Sequence, residues 1–285
     1  MTRSRLGTLF TLPGALWLAC LFVIPFGVVI AVSLAVPDIV NRPVYGWHPD
    51  NLIEVVTNTM YLELLGRSVL FAGLTTLVCA LIGYPVAYTI ARYGGRYRTG
   101  LIALVLLPWL VDYLVRIYAW VAILGNDGLI NGVLRSLGVG GDPPLRMTNT
   151  TYAVVLGLVY SYLPLMVMPL YASLEQMNPS LIEAGKDLYG SPPTTFFRVT
   201  LPYSTEGLLA GCLLVFLPSM GDFAAAKFLG GASTYMMGNM IADQFQTMGD
   251  WTFGASLTVV LMTVMWAVIA AFLFTRGTKA LDLAG

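Results

Sequence analysis

Long stretches without a single charged residue most constrain what this 285-residue chain can fold into. Four such stretches cover residues 6–37, 68–91, 147–174 and 251–275. A helix needs about 20 mostly apolar residues to cross the hydrocarbon core of a bilayer, whereas strands of a membrane barrel are short and alternate in polarity. The sequence therefore predicts an all-α integral membrane protein.

Two weaker stretches raise the predicted number of transmembrane helices to six. Residues 99–125 are apolar apart from Asp112 and Arg116, and residues 207–221 are short unless the span extends back to Tyr203. The composition agrees, because 57% of the residues are hydrophobic and only 11% are charged, unlike a soluble domain. The formal net charge of zero gives no basic face for nucleic acid, so nucleic acid is excluded as a partner.

Basic residues near the span ends predict the orientation, since they favour the cytoplasmic side. With the N-terminus inside, the cytoplasmic side carries Arg3, Arg5, Arg92, Arg96, Arg98, Lys186, Arg198, Arg276 and Lys279. The opposite side carries fewer basic residues and more acidic ones. Both termini are therefore predicted to be cytoplasmic. Residues 1–66 form the first span and an outer loop, residues 67–275 a five-span core with a cytoplasmic loop at 175–203, and residues 276–285 a cytoplasmic tail.

The cytoplasmic loop carries signals for two short helices. Asn178 precedes a proline, and asparagine caps the free amides of a first helical turn while proline has no amide to leave free. Gly190 suits the left-handed conformation that ends a helix. The serine–proline pair at 191–192 repeats the entry signal, and the second helix is predicted to end before Pro202. Without further information, a short amphipathic linker on the bilayer surface would explain such a segment.

This loop resembles the cytoplasmic signature of ABC importer permeases. It has Glu183, Ala184 and Gly185 in succession, followed at the family spacing by a leucine–proline pair. The resemblance implies a type I ABC importer permease fold, in which the loop forms a coupling helix that docks on an ATP-hydrolysing subunit. Glu183 would meet a basic residue of the ATPase, and the small residues beside it would allow close docking. The residues implied in coupling are Glu183, Ala184, Gly185, Asp187, Gly190, Leu201 and Pro202. Tyr189 stands where the family usually has glycine, which bears on the bend geometry.

Segments from the second to the sixth span resemble the spermidine/putrescine branch of these permeases. They include LVRIYAW at 114–120, LGNDGLIN at 124–131, FLPSMGDF at 216–223 and GNMIADQF at 238–245. Importers of opines and related organic cations share these segments, so both substrate classes stay open.

The resemblance also implies a set of partners for a multi-pass protein of the bacterial inner membrane. They are a second permease subunit, a cytoplasmic ATPase dimer and an extracytoplasmic substrate-binding protein, assembled in the lipid bilayer. The sequence contains no GxxxxGK[ST] phosphate-binding loop, so ATP and Mg would be bound by the ATPase, and no cofactor or enzymatic activity is expected of this chain.

The presence of two ionisable residues within the third predicted span needs a physical reason, because inserting a charge at bilayer depth costs about 2.5–3.5 kcal/mol on insertion scales. Asp112 and Arg116 are four residues apart, so a helix would place them on one face, where they can form a structural ion pair. Alternatively, Asp112 lies on a substrate pathway with Trp109 and Tyr113, since a carboxylate beside aromatic rings suits an organic dication. Interfacial anchoring is the other common use of such aromatic residues.

Asp222 is the preferred candidate for the substrate pathway. It follows a short span interrupted by Pro218 and Gly221, and interrupted apolar segments mark midplane sites in transporters. An acidic residue exposed to water at the outer mouth is the alternative. No catalytic residue or metal ligand set is predicted. An ion-coupled secondary carrier that uses Asp112 or Asp222, and a membrane scaffold without transport, are the competing functions.

Overall fold

A computed structural model describes residues 3–38, 41–138 and 145–282 of the chain. The first half contains the helices α1 (Arg3–Ser33), α2 (Asp50–Thr57), α3 (Thr59–Tyr93), α4 (Arg98–Leu106), α5 (Tyr113–Leu124) and α6 (Leu129–Ser136). The second half contains α7 (Thr151–Gln176), α8 (Pro179–Tyr189), α9 (Pro192–Thr195), α10 (Leu201–Tyr203), α11 (Thr205–Met220), α12 (Ala224–Leu229), α13 (Met237–Asp243) and α14 (Trp251–Asp282). Two-residue strands, β1 (Val36–Pro37) and β2 (Pro43–Val44), pair antiparallel. Short 3₁₀ turns cover Gly95–Tyr97, Leu107–Leu110 and Ala232–Thr234, and π-helical turns cover Phe196–Thr200 and Gln244–Met248.

The all-α membrane fold predicted from the charge-free runs is confirmed. Five helical segments are long and apolar enough to cross a membrane: Leu16–Ser33, Thr59–Tyr93, Tyr113–Ser136, Thr151–Gln176 and Trp251–Phe272. The sixth is a bent pair, Pro192–Tyr203 and Thr205–Met220, whose axes meet at 65°. Ser204 stands at this bend, is fully buried, and shares a hydrogen bond of 2.7 Å with the hydroxyl of Tyr84. The weak fifth span of the sequence is therefore extended back to Pro192, into the loop predicted at 175–203.

The third predicted span is wrong as a single helix, because the chain is broken in its middle. After α4, the 3₁₀ turn at Leu107–Leu110 includes a proline, and Val111 is extended with ψ of 140°. A new helix, α5, then starts with Asp112 as its N-cap. A break at membrane depth leaves backbone amides without helical partners, and the Asp112 side chain accepts hydrogen bonds from two of them.

The core of the unit formed by residues 64–239 is built around α7. This helix packs along α11, and glycine lets the two backbones approach closely. A Cβ atom at Gly207 would lie 2.5 Å from the carbonyl oxygen of Pro169, and one at Gly211 would lie 2.7 Å from Sδ of Met166. Small residues are the usual means by which membrane helices pack tightly, because lipid provides no hydrophobic force between them.

A second unit consists of residues 1–63 and 240–285. Here α1 and α2 pack against α14, and Ser256 Oγ donates to the carbonyl of Ser33 at 3.1 Å. Tyr61, in the first turn of α3, contacts Phe253 of α14 with 5.3 Å between ring centroids. The last span thus packs with the N-terminal part in this unit, and the division at 66/67 and 275/276 stays a prediction. Helix α14 also continues through 276–282 of the expected tail, and residues 283–285 lie outside the described residues.

We expect Gly207→Ala to destabilise the protein, because the added methyl group has no space between α7 and α11. Overpacking of this kind costs about 1–3 kcal/mol. The matched control is Gly73→Ala on α3, where no atom lies within 4 Å of the added Cβ. Thermal unfolding in detergent measures both variants. Equal unfolding temperatures for the two would contradict the close packing of α7 on α11.

Candidate functional site

The carboxylate of Asp222 connects three helices of the core unit. Its Oδ2 atom accepts hydrogen bonds from the hydroxyl of Tyr162 on α7, at 2.8 Å, and from the hydroxyl of Tyr113 on α5. Its Oδ1 atom accepts a bond of 2.9 Å from the amide of Ala225 in the first turn of α12. Only 5% of the residue is exposed. Because short α12 begins two residues later, at Ala224, the side chain also satisfies a free helix amide.

This position excludes an outer-mouth acid exposed to water, so that alternative is wrong. Tyr162 lies near the middle of α7, a membrane-spanning helix of 26 residues, and it holds the Asp222 carboxylate at the same depth. The two ion pairs found among residues 3–38, 41–138 and 145–282 do not involve Asp222. Hydrogen bonds, and no ion pair among the described residues, therefore hold this buried carboxylate, which is where a cation gains most from binding.

The expected ion pair between Asp112 and Arg116 does not form. Asp112 is exposed, and its Oδ1 atom caps the amides of Leu114 and Val115 at 2.9 and 3.4 Å. Arg116 is 8% exposed, and its Nη1 atom donates to the carbonyl of Ser161 at 3.5 Å. The physical reason is that Asp112 lies outside the helix, so the helical four-residue spacing does not apply to it.

Arg116 instead belongs to the cluster around Tyr113. Its guanidinium carbon lies 5.5 Å from the centroid of the Tyr113 ring, and this ring stacks at 6.4 Å on the ring of Tyr162. The Nε atom of Arg116 and the hydroxyl of Ser161 are buried without a hydrogen-bond partner. A positive and a negative side chain thus occur in one buried cluster, each bonded to a tyrosine or a backbone group and not to the other.

Of the predicted pathway residues, the structure brings Tyr113 to Asp222 and leaves Asp112 and Trp109 on the surface. Trp109 is 46% exposed in the 3₁₀ turn at the helix break. Tyr162 is the site residue that sequence reasoning missed, and its only signal is a hydroxyl in the middle of a charge-free run. In the described part of the chain, no group of three or more His, Cys, Asp or Glu side chains could hold a metal ion.

The predicted start and end of α8 are confirmed. The side chain of Asn178 accepts a hydrogen bond of 3.1 Å from the amide of Ser180. Gly190 is left-handed with φ of 69°, and its amide donates to the carbonyl of Lys186 at 2.8 Å. The bend at Gly190 therefore forms even though Tyr189 replaces the glycine usual in the family.

The second helix does not end before Pro202, and that prediction is wrong. The Phe196–Thr200 segment is a π-helical turn, in which the amide of Leu201 donates to the carbonyl of Phe196 five residues earlier. Helix α10 follows, with Leu201 half-buried and Pro202 exposed. A π turn re-pairs the backbone locally, so the chain stays helical although proline lacks a donor.

Helix α8 has an exposed apolar face made by Leu181, Ala184 and Leu188. The two leucines are 45% and 74% exposed. Gly185 does not share this face: it is buried, and a Cβ atom there would lie 2.8 Å from Thr195 Cγ2 and 3.0 Å from a methyl group of Val199. Its lack of a side chain serves packing within the chain, and Ala184 is the small residue that a partner would meet.

The charged residues of α8 are exposed as well. Asp187 is exposed, and Glu183 is exposed on a different side, where it lines a cleft with Lys186 and Arg92. Of the coupling residues implied by the resemblance, Ala184 therefore lies on the apolar face, Glu183 lines the charged cleft, and Gly185 is buried within the chain.

Comparison with known proteins identifies close relatives of the whole chain. The spermidine/putrescine transport system permease protein PotB of Haemophilus influenzae is 37% identical over 266 residues, which is 93% of this chain and 92% of that protein. The protein of the same name from Escherichia coli is 37% identical over 256 residues, covering 90% of this chain and 92% of the relative. The inner membrane ABC transporter permease protein YdcU of Escherichia coli is 31% identical over 79% of this chain and 75% of its own length. No protein-family model matches the chain.

Solved structures with the same fold are also ABC importers. A chain of a bacterial ABC transporter that imports the acidic polysaccharide alginate superposes with a TM-score of 0.74 at 16% identity, over 96% of each chain. A methionine ABC transporter in an inward-facing conformation superposes with a TM-score of 0.55 at 15% identity, over 79% of this chain and 98% of that one. At these identities the similarity establishes the fold, and the predicted importer permease fold is confirmed.

We expect Asp222→Ala to destabilise the protein more than Asp112→Ala. The first change removes the acceptor of two buried hydroxyls and one buried amide, and each buried group without a partner costs about 1–3 kcal/mol. The second removes an exposed N-cap worth about 1 kcal/mol. Asp222→Asn keeps an acceptor oxygen and should fall between them. Thermal unfolding in detergent ranks the three variants, and a larger loss for Asp112→Ala would contradict the role of Asp222 as a buried acceptor.

Proposed function

Because this chain belongs to the family of the spermidine/putrescine transport system permeases, we propose that it is the membrane-spanning permease of an ATP-driven polyamine importer in the bacterial inner membrane. The observation that carries the substrate class is the buried carboxylate of Asp222, which is held by two tyrosine hydroxyls and forms no ion pair with any residue that the structure describes. Polyamines are flexible chains of protonated amines, and each amine gains from a carboxylate and aromatic rings in a site of low dielectric constant.

In this proposal the energy comes from other polypeptides, and this chain is not an enzyme. A cytoplasmic ATPase dimer binds ATP and Mg, a second permease completes the pathway, and an extracytoplasmic binding protein delivers the substrate. The absence of a GxxxxGK[ST] loop from the sequence supports the division of labour. An alginate transporter with the same fold has been crystallised in complex with a periplasmic protein bound to an alginate pentasaccharide, which supports delivery of this kind.

The substrate pathway starts at the break between α4 and α5. Asp112 uses Oδ1 as a helix cap, which leaves Oδ2 open to a protonated amine, and the exposed ring of Trp109 lies three residues away. Tyr113 follows Asp112 directly in the chain and covers Asp222. An amine that moves inward exchanges contact with Asp112 for contact with Asp222 by displacing the Tyr113 hydroxyl. Two carboxylates in succession suit a substrate with amines at both ends.

Arg116 balances the charge of this pathway when no substrate is bound. It lies one helical turn from Tyr113, and its guanidinium carbon is 5.5 Å from the ring of this tyrosine, whose hydroxyl bonds Asp222. A nearby positive charge lowers the free-energy cost of burying an anion. Because the Arg116 guanidinium and the Asp222 carboxylate form no ion pair, the carboxylate stays available to an incoming amine.

The loop at 175–203 lies on the cytoplasmic side in this proposal, with both termini on the same side. The apolar face of Leu181, Ala184 and Leu188 then docks on the ATPase, and Glu183, Asp187 and Gly190 set the charge and the bend beside it. Closure of the ATPase moves α8, and the helical segments from α9 to α11, bent at Ser204, pass this motion to the spans.

We expect Asp222→Asn to reduce polyamine uptake about tenfold or more, because a hydrogen bond to a charged group contributes about 1.5–3 kcal/mol. The experiment measures labelled putrescine and spermidine in cells that lack the native locus and carry the whole operon, with permease levels checked by immunoblot. Asp127→Asn is the control, since this side chain is 92% exposed.

Two results would contradict the assignment. Wild-type uptake of an opine or another cation in place of polyamines would overturn the substrate. Uptake that follows a proton or sodium gradient and does not require the ATPase would indicate a secondary carrier.

We expect the double variant Leu181→Ala and Leu188→Ala to reduce the amount of ATPase that co-purifies with the permease. Burial of a leucine side chain stabilises an interface by about 1.5–3 kcal/mol, and both changes remove it. The matched control is Leu104→Ala with Leu107→Ala, which truncates two leucines that are 65% and 59% exposed outside the loop. Equal loss of ATPase from both double variants would show that the α8 face is not the docking surface.

A further inference from the structure

Two buried opposite charges of the core unit, the guanidinium of Arg116 and the carboxylate of Asp222, form no ion pair among the described residues. They are nevertheless connected through Tyr113, whose ring lies 5.5 Å from the guanidinium carbon and whose hydroxyl bonds the carboxylate. A second connection runs through α7. The carbonyl of Ser161 accepts from the guanidinium, and the hydroxyl of the next residue, Tyr162, bonds the carboxylate. The two charges therefore share their neighbours on α5 and α7.

The guanidinium of Arg116 is weakly anchored. Its Nη1 atom lies 3.5 Å from the carbonyl oxygen of Ser161, which is longer than the usual distance of about 2.7–3.2 Å for such a bond. Its Nε atom and the hydroxyl of Ser161 are buried and have no hydrogen-bond partner in the described part of the chain. Arginine carries five N–H donors, so this side chain keeps donors available for a better acceptor. Turning it toward a carboxylate breaks little that is already made.

The surroundings of the two charges are apolar. Tyr113 and Tyr162 pack against a buried hydrophobic cluster that includes Ile117 and Leu158, both of which are 0% exposed. In such a place the effective dielectric constant is far below that of water, and salt screens charges poorly. A charge that arrives at Asp222 therefore changes the electrostatic energy of the guanidinium.

Counting charges gives the consequence of substrate binding. Without substrate, one positive and one negative side chain make the cluster neutral. A protonated amine that bonds the carboxylate of Asp222 brings the cluster to a net charge of about +1 or more, because Arg116 stays protonated. Like charges repel, so Arg116 raises the free energy of the occupied site relative to the empty one. The amine and the guanidinium are thus rivals for one carboxylate.

We propose that Arg116 is the release residue of the substrate pathway: its guanidinium competes with the substrate amine for Asp222 and shortens the time that the amine stays bound. When the spans move, the guanidinium turns from Ser161 toward the carboxylate, and the amine leaves. Arg116 acts through Asp222 and is therefore a positioning residue. This inference rests on the proposed polyamine transport and adds to charge balance in the empty site a role in emptying the occupied one.

The proposal predicts that removing the positive charge makes the site hold its substrate too long. An importer has to release what it binds, and slow release of a bound molecule limits the turnover of many transport and catalytic cycles. Tighter retention and slower uptake should therefore occur together. A residue needed only for folding would lower uptake without any gain in retention.

The test measures both quantities in the whole importer, reconstituted in proteoliposomes with its ATPase and its binding protein. Labelled spermidine bound per complex is measured by rapid filtration during steady ATP hydrolysis, and uptake into the lumen is measured in the same samples. We expect Arg116→Gln to retain about tenfold more spermidine than wild type, because a repelling charge is gone, and to take it up more slowly. If this variant yields no monodisperse complex, Arg116→Met replaces it, since methionine leaves no buried N–H without a partner.

Three further variants separate charge from structure. Arg116→Lys keeps the positive charge and should return both values toward those of wild type. Arg135→Gln is the matched control and should change neither value, since Arg135 is 47% exposed on α6 and pairs with Asp127. Combining Arg116→Gln with Asp222→Asn should give no gain in retention over Asp222→Asn alone, because the carboxylate for which the two cations compete is absent.

Three results would overturn the release role while leaving the proposed transport intact. They are normal wild-type uptake with unchanged or lower retention in Arg116→Gln, failure of Arg116→Lys to restore the wild-type values, and an equal gain in retention with and without the carboxylate of Asp222. A wild-type importer that neither retains nor takes up spermidine would contradict the proposed function, and this inference with it.

Discussion

Backbone donors freed by a broken helix inside a membrane must find partners within the protein, because the hydrocarbon core offers none. The architecture of the core unit follows from this constraint. Three helix starts in this unit are next to a side chain that accepts from their first amides: Asp112 for α5, Asp222 for α12 and Thr150 for α7. Two of these three caps are carboxylates. The same groups that make the breaks possible therefore bring negative charge into the membrane.

Capping and the proposed cation binding use the same chemistry, so one carboxylate is suited to both roles. A carboxylate has two oxygens, and Asp222 gives one to the amide of Ala225 and the other to the hydroxyls of Tyr113 and Tyr162. The amide bond holds the side chain in place, and the hydroxyls occupy the positions that ammonium groups would take. A tyrosine hydroxyl is a neutral donor, so a charged amine competes with it on favourable terms. The hydrogen bonds that Asp222 makes to Ala225, Tyr113 and Tyr162 therefore fix its carboxylate in position before any ligand arrives.

The sequence was sufficient for features determined by local chemistry and insufficient for those determined by tertiary contacts. Charge-free runs predicted the spans, and Asn178 and Gly190 predicted both ends of α8, because a cap and a left-handed stop depend on a few neighbouring residues. The Asp112–Arg116 pair failed because helical spacing assumes that both residues are in the helix, and Asp112 precedes it. The bond between Asp222 and Tyr162 joins residues 60 positions apart, which no local pattern records.

The bend at Ser204 has a mechanical consequence. Segments at 192–203 and 205–220 meet at 65°, and Ser204 fixes the corner by its bond to Tyr84 and by a bond of 2.9 Å to the carbonyl of Thr200. Because these hydrogen bonds hold the bend, a force on the segment at 192–203 rotates the segment at 205–220 while the angle between them is kept. The second of these segments, α11, is about 24 Å long and ends two residues before Asp222. Tilting this helix by a few degrees would displace its end by ångströms, which is the scale on which a hydrogen bond is made or lost.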